Sequence, residues 1–272
     1  MSRTVLITGC SSPRGIGFAT ARALAAAGNN VVATVRDHSN DGALLAGVDN
    51  LSVLSLDLLD EASINAAVET TRERFGRIDT LVNNAGYGLI GGIEQSTPAQ
   101  ARAEFDANYF GTLDLVRAVL PVMREQGSGH IIAVSTIFSA TLCPPALGHY
   151  IGSKAALEKA LQALAIEAAP FGVRVTIVQP GPVNTELSRD WARPAGDPRP
   201  DLIDALYEWV GSQPGLVLED PADVAQAIAS VVAADDPPLA AQTCVAGTAW
   251  MAQSLRDPSR RSDQDLVPRL KT

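Results

Sequence analysis

A chain of 272 residues with 46 % apolar side chains has enough hydrocarbon for one large α/β core or two small ones, which excludes a disordered class. Its formal net charge of −9 excludes a general nucleic-acid surface but leaves local anion binding open. Three scattered cysteines, Cys10, Cys143 and Cys244, fit a reducing compartment and packing roles better than disulfides or a metal site.

The amino terminus enters a strand-like run without a basic-then-apolar leader, and no apolar run reaches the length of a bilayer span. No signal peptide, no membrane span and a cytoplasmic location are therefore expected. Along the chain, β-branched runs alternate with helical patterns. Strands are predicted at Thr4–Thr8, Val31–Val35, Leu51–Leu56, Thr80–Asn83, Ile131–Ser135, Arg174–Gln179 and Gln242–Ala246. Helices are predicted at Ile16–Ala27, Ser63–Phe75, Pro98–Met123, Tyr150–Ala169 and Ala222–Ala234, the last with Asp220 as N-cap and Pro221 in its first turn.

Strands separated by helices need crossovers, so a doubly wound parallel sheet with helices on both faces follows. No linker breaks the alternation and no internal repeat is present, so residues 1–272 are expected to form a single domain. Residues 186–215, rich in proline and charge and carrying Trp191 and Trp209, are expected to be an inserted substrate loop or lid, with a short helix at Asp201–Val210. The polar tail from Asp257 is expected to be loosely held.

Between the first strand and the first helix lies Thr8-Gly9-Cys10-Ser11-Ser12-Pro13-Arg14-Gly15-Ile16-Gly17. Free backbone N–H groups and the positive end of the helix dipole make such a junction an anion site, and glycine lets a pyrophosphate approach the backbone. Arg14 in this loop and Arg36 after the second strand favour NADP(H), since a guanidinium pairs with a 2′-phosphate. Asp37 is the contrary signal, because an acid there suits the ribose hydroxyls of NAD(H).

Tyr150 and Lys154 are four residues apart and fall on one face of a helix. A phenol with an ordinary pKa near 10 is a poor base, and a nearby ammonium is expected to lower that value by about 1–3 units. The pair then suits general acid–base catalysis. His38, His130 and His149 show no metal-ligand spacing and are read as structural or surface residues, so no metal site is expected.

With the glycine loop, Asn83-Asn84-Ala85-Gly86 and Tyr150-to-Lys154 in this order, the chain resembles the short-chain dehydrogenase/reductase family over about residues 4–185. The resemblance implies a Rossmann-type domain with a seven-stranded parallel sheet and a nicotinamide cofactor. Gly9, Ser11, Ser12, Arg14, Gly15, Ile16 and Gly17 would then surround the pyrophosphate and adenosine ribose. Asp57 and Leu58 match the pair that holds the adenine, and Asn84, Ala85 and Gly86 the turn beneath the ribose. Asn108 matches the asparagine that organises a proton-relay water. Pro180–Thr185 matches the Pro-Gly segment, with Val183 and Thr185 near the nicotinamide carboxamide.

The chain departs from the family pattern in three places. The glycine loop is two residues longer, about Pro13-Arg14. The hydroxyl pair reads Ser135-Thr136, so Thr136 stands where serine is usual, fourteen residues before Tyr150 rather than thirteen, with Ser135 as the alternative. The segment after Val232 lacks the glycine-rich ending of tetrameric members and looks hydroxysteroid- or retinol-dehydrogenase-like. With the alanine- and leucine-rich face of Tyr150–Ala169, this points to a homo-oligomer, a dimer rather than a tetramer.

The expected function is NADP(H)-dependent interconversion of a carbonyl and a secondary alcohol. Tyr150 is the general acid/base, Thr136 the hydrogen-bond donor, Lys154 the cation that tunes Tyr150 and holds the nicotinamide ribose, and Asn108 the relay. Phe138, Leu142, Trp191, Leu202, Leu206 and Trp209 suggest an apolar small-molecule substrate, although core packing is an equal reading. The alternatives are an NAD(H)-preferring alcohol dehydrogenase and a non-catalytic nicotinamide-binding sensor.

Overall fold

The computed structural model describes residues 2–37, 45, 47–141, 143–185, 206, 208, 210, 211 and 216–256. Seven strands form one sheet: β1 (Thr4–Ile7), β2 (Asn30–Val35), β3 (Leu51–Ser55), β4 (Thr80–Asn83), β5 (Gly129–Val134), β6 (Val173–Gln179) and β7 (Ala240–Gln242). Their order is β3-β2-β1-β4-β5-β6-β7 and every pair is parallel. The run Thr4-Val5-Leu6-Ile7 is buried at every position, because a strand covered on both faces has no solvent side to make polar.

Helices α1 (Ile16–Ala26), α2 (Glu61–Phe75), α3 (Pro98–Phe105), α4 (Thr112–Gln126), α5 (Gly148–Ala168), α6 (Pro221–Ala233) and α7 (Val245–Arg256) accompany the strands. Asp60, Thr97 and Asp220 cap α2, α3 and α6 with side-chain oxygens, which fixes where each helix starts. One apolar cluster joins α2, α4 and α5 to the sheet, through residues such as Ile64, Leu115 and Leu157. A second joins α1 and α6 to the other face, through Leu24, Val224 and Ile228. The chain leaves β1 for β2 on one side and returns from β3 to β4 on the other. The carboxyl ends of β1 and β4 are thus the switch point where a crevice opens.

Two predicted elements differ. The helix expected at Pro98–Met123 is α3 and α4 joined by a π-helical turn at Asp106–Gly111. The last strand is Ala240–Gln242 rather than Gln242–Ala246, and Val245, 87 % exposed, opens the unpredicted helix α7. Only three residues of this edge strand pair with β6, too few to leave a period in the sequence. Among the described residues, no helix is long and apolar enough to cross a membrane. Of the predicted lid, Leu206, Glu208, Val210 and Gly211 are helical; Trp191, Leu202 and Trp209 lie outside the described residues, as do Leu142, His38 and the tail from Asp257.

Candidate active site

Gly9 takes φ +74, the left-handed turn that lets the chain swing from β1 into the loop. At Gly17 any side chain is excluded: a Cβ would fall inside the Gly9 carbonyl oxygen and 2.5 Å from Asn84 Nδ2. Gly15 is the N-cap of α1 and offers no side-chain cap, and the first turn carries no acid. The leading N–H groups of α1 therefore have no side-chain acceptor from the cap, as an anion cradle requires. The longer loop turns back on itself, with Gly15 N–H donating to Ser12 O at 2.9 Å and Arg14 N–H to Ser12 Oγ at 3.3 Å.

Thr8 and Asn84 lock this loop to the neighbouring strand. Thr8 Oγ1 accepts from the Asn84 and Ala85 amides, each at 3.0 Å. Asn84 Nδ2 donates to Thr8 O at 2.9 Å and Gly9 O at 3.1 Å. The sequence reading places Thr8 at the head of the glycine loop but gives it no role of its own; it is buried at the strand end. Arg14 and Arg36 are both exposed, one beyond β1 and the other at the end of β2. Beyond β3, Asp57 closes a turn through Oδ1 to the Leu59 amide at 3.0 Å, with Leu58 beside it. The Leu58 carbonyl packs so tightly on Gly111 that a Cβ there would lie 2.5 Å from its oxygen.

Asn108 sits inside the π-helical turn and is fully buried. Its Nδ2 donates to Tyr87 O at 2.8 Å and to Ser153 Oγ at 3.1 Å, and its Oδ1 accepts from Tyr87 N–H at 3.1 Å. A single asparagine thus ties the loop after β4 to α5, and a π turn at such a position is a recurrent mark of functional sites. Against Gly86 lie both Asn108 Oδ1 and Lys154 Nζ; a Cβ there would be 2.9 Å from the first and 3.4 Å from the second.

Tyr150 and Lys154 occupy successive turns of α5. Lys154 is 5 % exposed, and its Nζ donates to the carbonyl of Val134, the last residue of β5, at 2.9 Å. Burial pulls this ammonium down to about 8, with Glu104 and Glu158 holding it up. The Tyr150 phenol moves opposite to the expectation from sequence: burial pushes it up, and the Glu104 carboxylate adds to the rise. Desolvation of the charged form outweighs the attraction of a neighbouring cation, which sequence spacing alone cannot weigh.

Thr136 and Ser135 both lie at the carboxyl end of β5, 6 % and 5 % exposed. Thr136 Oγ1 accepts from the Phe138 amide at 3.4 Å, which leaves its own proton as a donor. The turn is held from below by Ser139, whose Oγ reaches Thr136 O at 2.6 Å and Glu158 Oε1, while Glu158 also accepts from Gln179 Nε2 at 3.0 Å. His130 is buried in β5 against Thr176 Oγ1 at 2.9 Å, and burial lowers it to about 4, a packed neutral residue as expected. Among the described residues no group of His, Cys, Asp or Glu could hold a metal ion.

The segment carrying Val183 and Thr185 is seated by Glu219, which the sequence reading passed over. Its Oε1 accepts from Gly181 N–H and its Oε2 from Thr243 Oγ1, both at 2.5 Å, and its backbone pairs with Pro182 and Asn184. Glu219→Ala is expected to cost about 1–3 kcal/mol, because two donors lose their acceptor. The expected readout is a lower urea midpoint at unchanged slope; an unaltered midpoint would show that Glu219 does not hold the segment.

Beside the Tyr150 ring lies a third apolar cluster of Ile90, Ile137, Phe138, Leu147, Ile151, Leu206 and Trp250. Phe138 and Leu206 were expected at a substrate surface or in the core, and they pack here with Trp250, whose ring is 6.2 Å from that of Phe138. Trp250 went unnoticed because α7 was not predicted.

The model of the family described as short chain dehydrogenase matches residues 3–195. Retinol dehydrogenase 8 of Bos taurus is 34 % identical over an alignment of 279 positions, which covers 94 % of this chain and 86 % of that protein. The 17-beta-hydroxysteroid dehydrogenase type 1 of Homo sapiens is 33 % identical over 280, 95 % of this chain and 83 % of that protein. Among solved structures, a short chain dehydrogenase from Burkholderia cenocepacia J2315 in complex with NADP aligns with TM-score 0.77 and 25 % identity, covering 98 % of both chains. A 3-ketoacyl-(acyl-carrier-protein) reductase from Brucella melitensis complexed with NADH aligns with TM-score 0.75 and 27 % identity, covering 88 % of this chain and 96 % of that one.

Proposed function

This chain belongs to the short-chain dehydrogenase/reductase family, of the hydroxysteroid- and retinol-dehydrogenase-like type, and we propose that it is an NADP(H)-preferring enzyme in which Tyr150 moves the proton. It is a carbonyl/alcohol oxidoreductase that uses a nicotinamide cofactor and acts on small molecules. A bound nicotinamide supplies or accepts the hydride. The observation that carries the rest is the placement of Tyr150 and Lys154 on one helix, with the Lys154 amine anchored to Val134 beside Gly86, together with a glycine loop whose Gly9 and Gly17 leave no space for a Cβ.

Gly9, Gly15 and Gly17 leave backbone room for a pyrophosphate at the start of α1, and Asp57, Ala85 and Gly86 border the path from adenine to ribose. A buried phenol pushed upward is a neutral proton donor at pH 7, which suits carbonyl reduction. Tyr150 then protonates the substrate oxygen as Thr136 donates a hydrogen bond to it, with Ser135 as the alternative donor. Alcohol oxidation runs the same proton the other way. Val183 and Thr185 would flank the nicotinamide, and the apolar cluster beside Tyr150 favours a hydrocarbon-rich substrate.

Cofactor preference follows from charge. Arg14 and Arg36 offer two exposed guanidinium groups to a 2′-phosphate, against one carboxylate at Asp37. Titration with NADPH and NADH is expected to favour NADPH, and Arg36→Ala is expected to weaken NADPH alone by about tenfold or more. Tighter binding of NADH by the parent chain would reverse this reading. Tight binding without turnover across a panel of apolar ketones and alcohols would instead indicate a sensor.

A further inference from the structure

Glu104, near the carboxyl end of α3, is 0 % exposed. Its Oε1 accepts from the Leu89 amide at 2.8 Å, and its Oε2 is enclosed without a hydrogen-bond partner. Burial of an ionised carboxylate with an unmatched oxygen costs several kcal/mol unless a cation compensates it. One turn further on, Asn108 clasps Tyr87, so two side chains of this stretch grip the loop after β4 at Tyr87 and Leu89. The neighbouring Phe105 reaches Gly152, midway between Tyr150 and Lys154: a Cβ on that glycine would lie 3.8 Å from the ring. The helix that carries this carboxylate therefore packs on the turn between Tyr150 and Lys154, with the carboxylate shut away from solvent.

We propose that Glu104 is a positioning residue for the reaction, an internal counter-charge that keeps the Lys154 amine protonated. The inference rests on the roles given above to Tyr150 and Lys154. The groups that face this carboxylate are Lys154 and Tyr150 on α5 and Tyr87 in the loop after β4; Glu158 on α5 acts on the same amine, and Asp106 on the adjoining turn acts on Tyr87. Among these only Lys154 is a cation. Burial raises Glu104 to about 7 and lowers Lys154 to about 8, and each charge opposes the shift of the other. Above about pH 7 the carboxylate is ionised and favours the ammonium; removal of that charge lets the amine lose its proton at lower pH.

The test uses the cofactor-free chain and then the working enzyme. Only Lys154, Lys159 and Lys271 are lysines, so a ¹⁵N titration of the amine resonances resolves Lys154, assigned by its loss in Lys154→Met. In Glu104→Gln, which keeps an acceptor for the Leu89 amide, the Lys154 midpoint is expected to fall by about 1 pH unit or more. The alkaline limb of kcat/KM is expected to move the same way, and Glu104→Asp to restore the parent profile. An unchanged Lys154 midpoint in Glu104→Gln overturns the proposal. Should that variant fail to fold, a parent midpoint below about 6, an amine already neutral at working pH, overturns it as well. If Tyr150→Phe keeps full turnover while the Lys154 shift appears, the acid–base reading fails and the counter-charge stands.

Discussion

Tyr150→Phe is expected to lower turnover by about 10²–10⁴-fold while leaving nucleotide affinity within a few-fold of the parent. The ring that packs among Ile151, Phe138 and Leu147 is kept, and only the oxygen is removed. Stability should therefore change little, and the loss should fall on kcat rather than on KM. Near-full turnover on an accepted ketone would remove Tyr150 from the mechanism. The upward shift of the phenol gives the sign of the pH dependence: carbonyl reduction needs the protonated form, present at neutral pH, whereas alcohol oxidation needs its loss and should speed up as pH rises.

The second large effect is expected at Gly17. Alanine gains helix propensity over glycine by about 1 kcal/mol, so in an open helix Gly17→Ala would stabilise the chain. Here the added methyl meets the Gly9 carbonyl and Asn84 Nδ2, two groups fixed by the clasp between the strands. Neither is the loose end of a flexible side chain, so overpacking at about 1–3 kcal/mol outweighs the propensity gain. The methyl also separates Asn84 from Gly9, so dinucleotide affinity should fall by tenfold or more, about the value of one lost buried hydrogen bond. Gly152→Ala serves as the control, since a methyl there meets only the Phe105 ring at 3.8 Å and should cost nothing. Equal nucleotide binding by Gly17→Ala and the parent would show that the cradle is not where the pyrophosphate lies.

Much of the molecule was legible because its signals are local. Six of the seven strands fall within two residues of their β-branched runs, and the glycine loop and Tyr150-to-Lys154 lie on the elements read for them. What escaped depends on neighbours far along the chain. The π turn at Asp106–Gly111, whose last glycine packs on Leu58 about fifty residues away, leaves no mark on the apolar period. The direction of the Tyr150 shift depends on what buries the phenol, which only the folded chain decides. Glu104 was not singled out in the sequence, although it stands one turn before Asn108.

The clasp of Thr8 by Asn84 joins residues 76 apart in the chain. A nascent polypeptide that has left the ribosome only as far as β3 already contains the glycine loop, yet lacks Asn84 and Ala85, which hold it from β4. Closing so long a gap carries an entropic penalty that local pairing never meets, and it is repaid only when β4 docks beside β1. Dinucleotide capture at this loop is therefore expected only once β4 has docked, and a chain truncated before β4 would hold the loop without the grip.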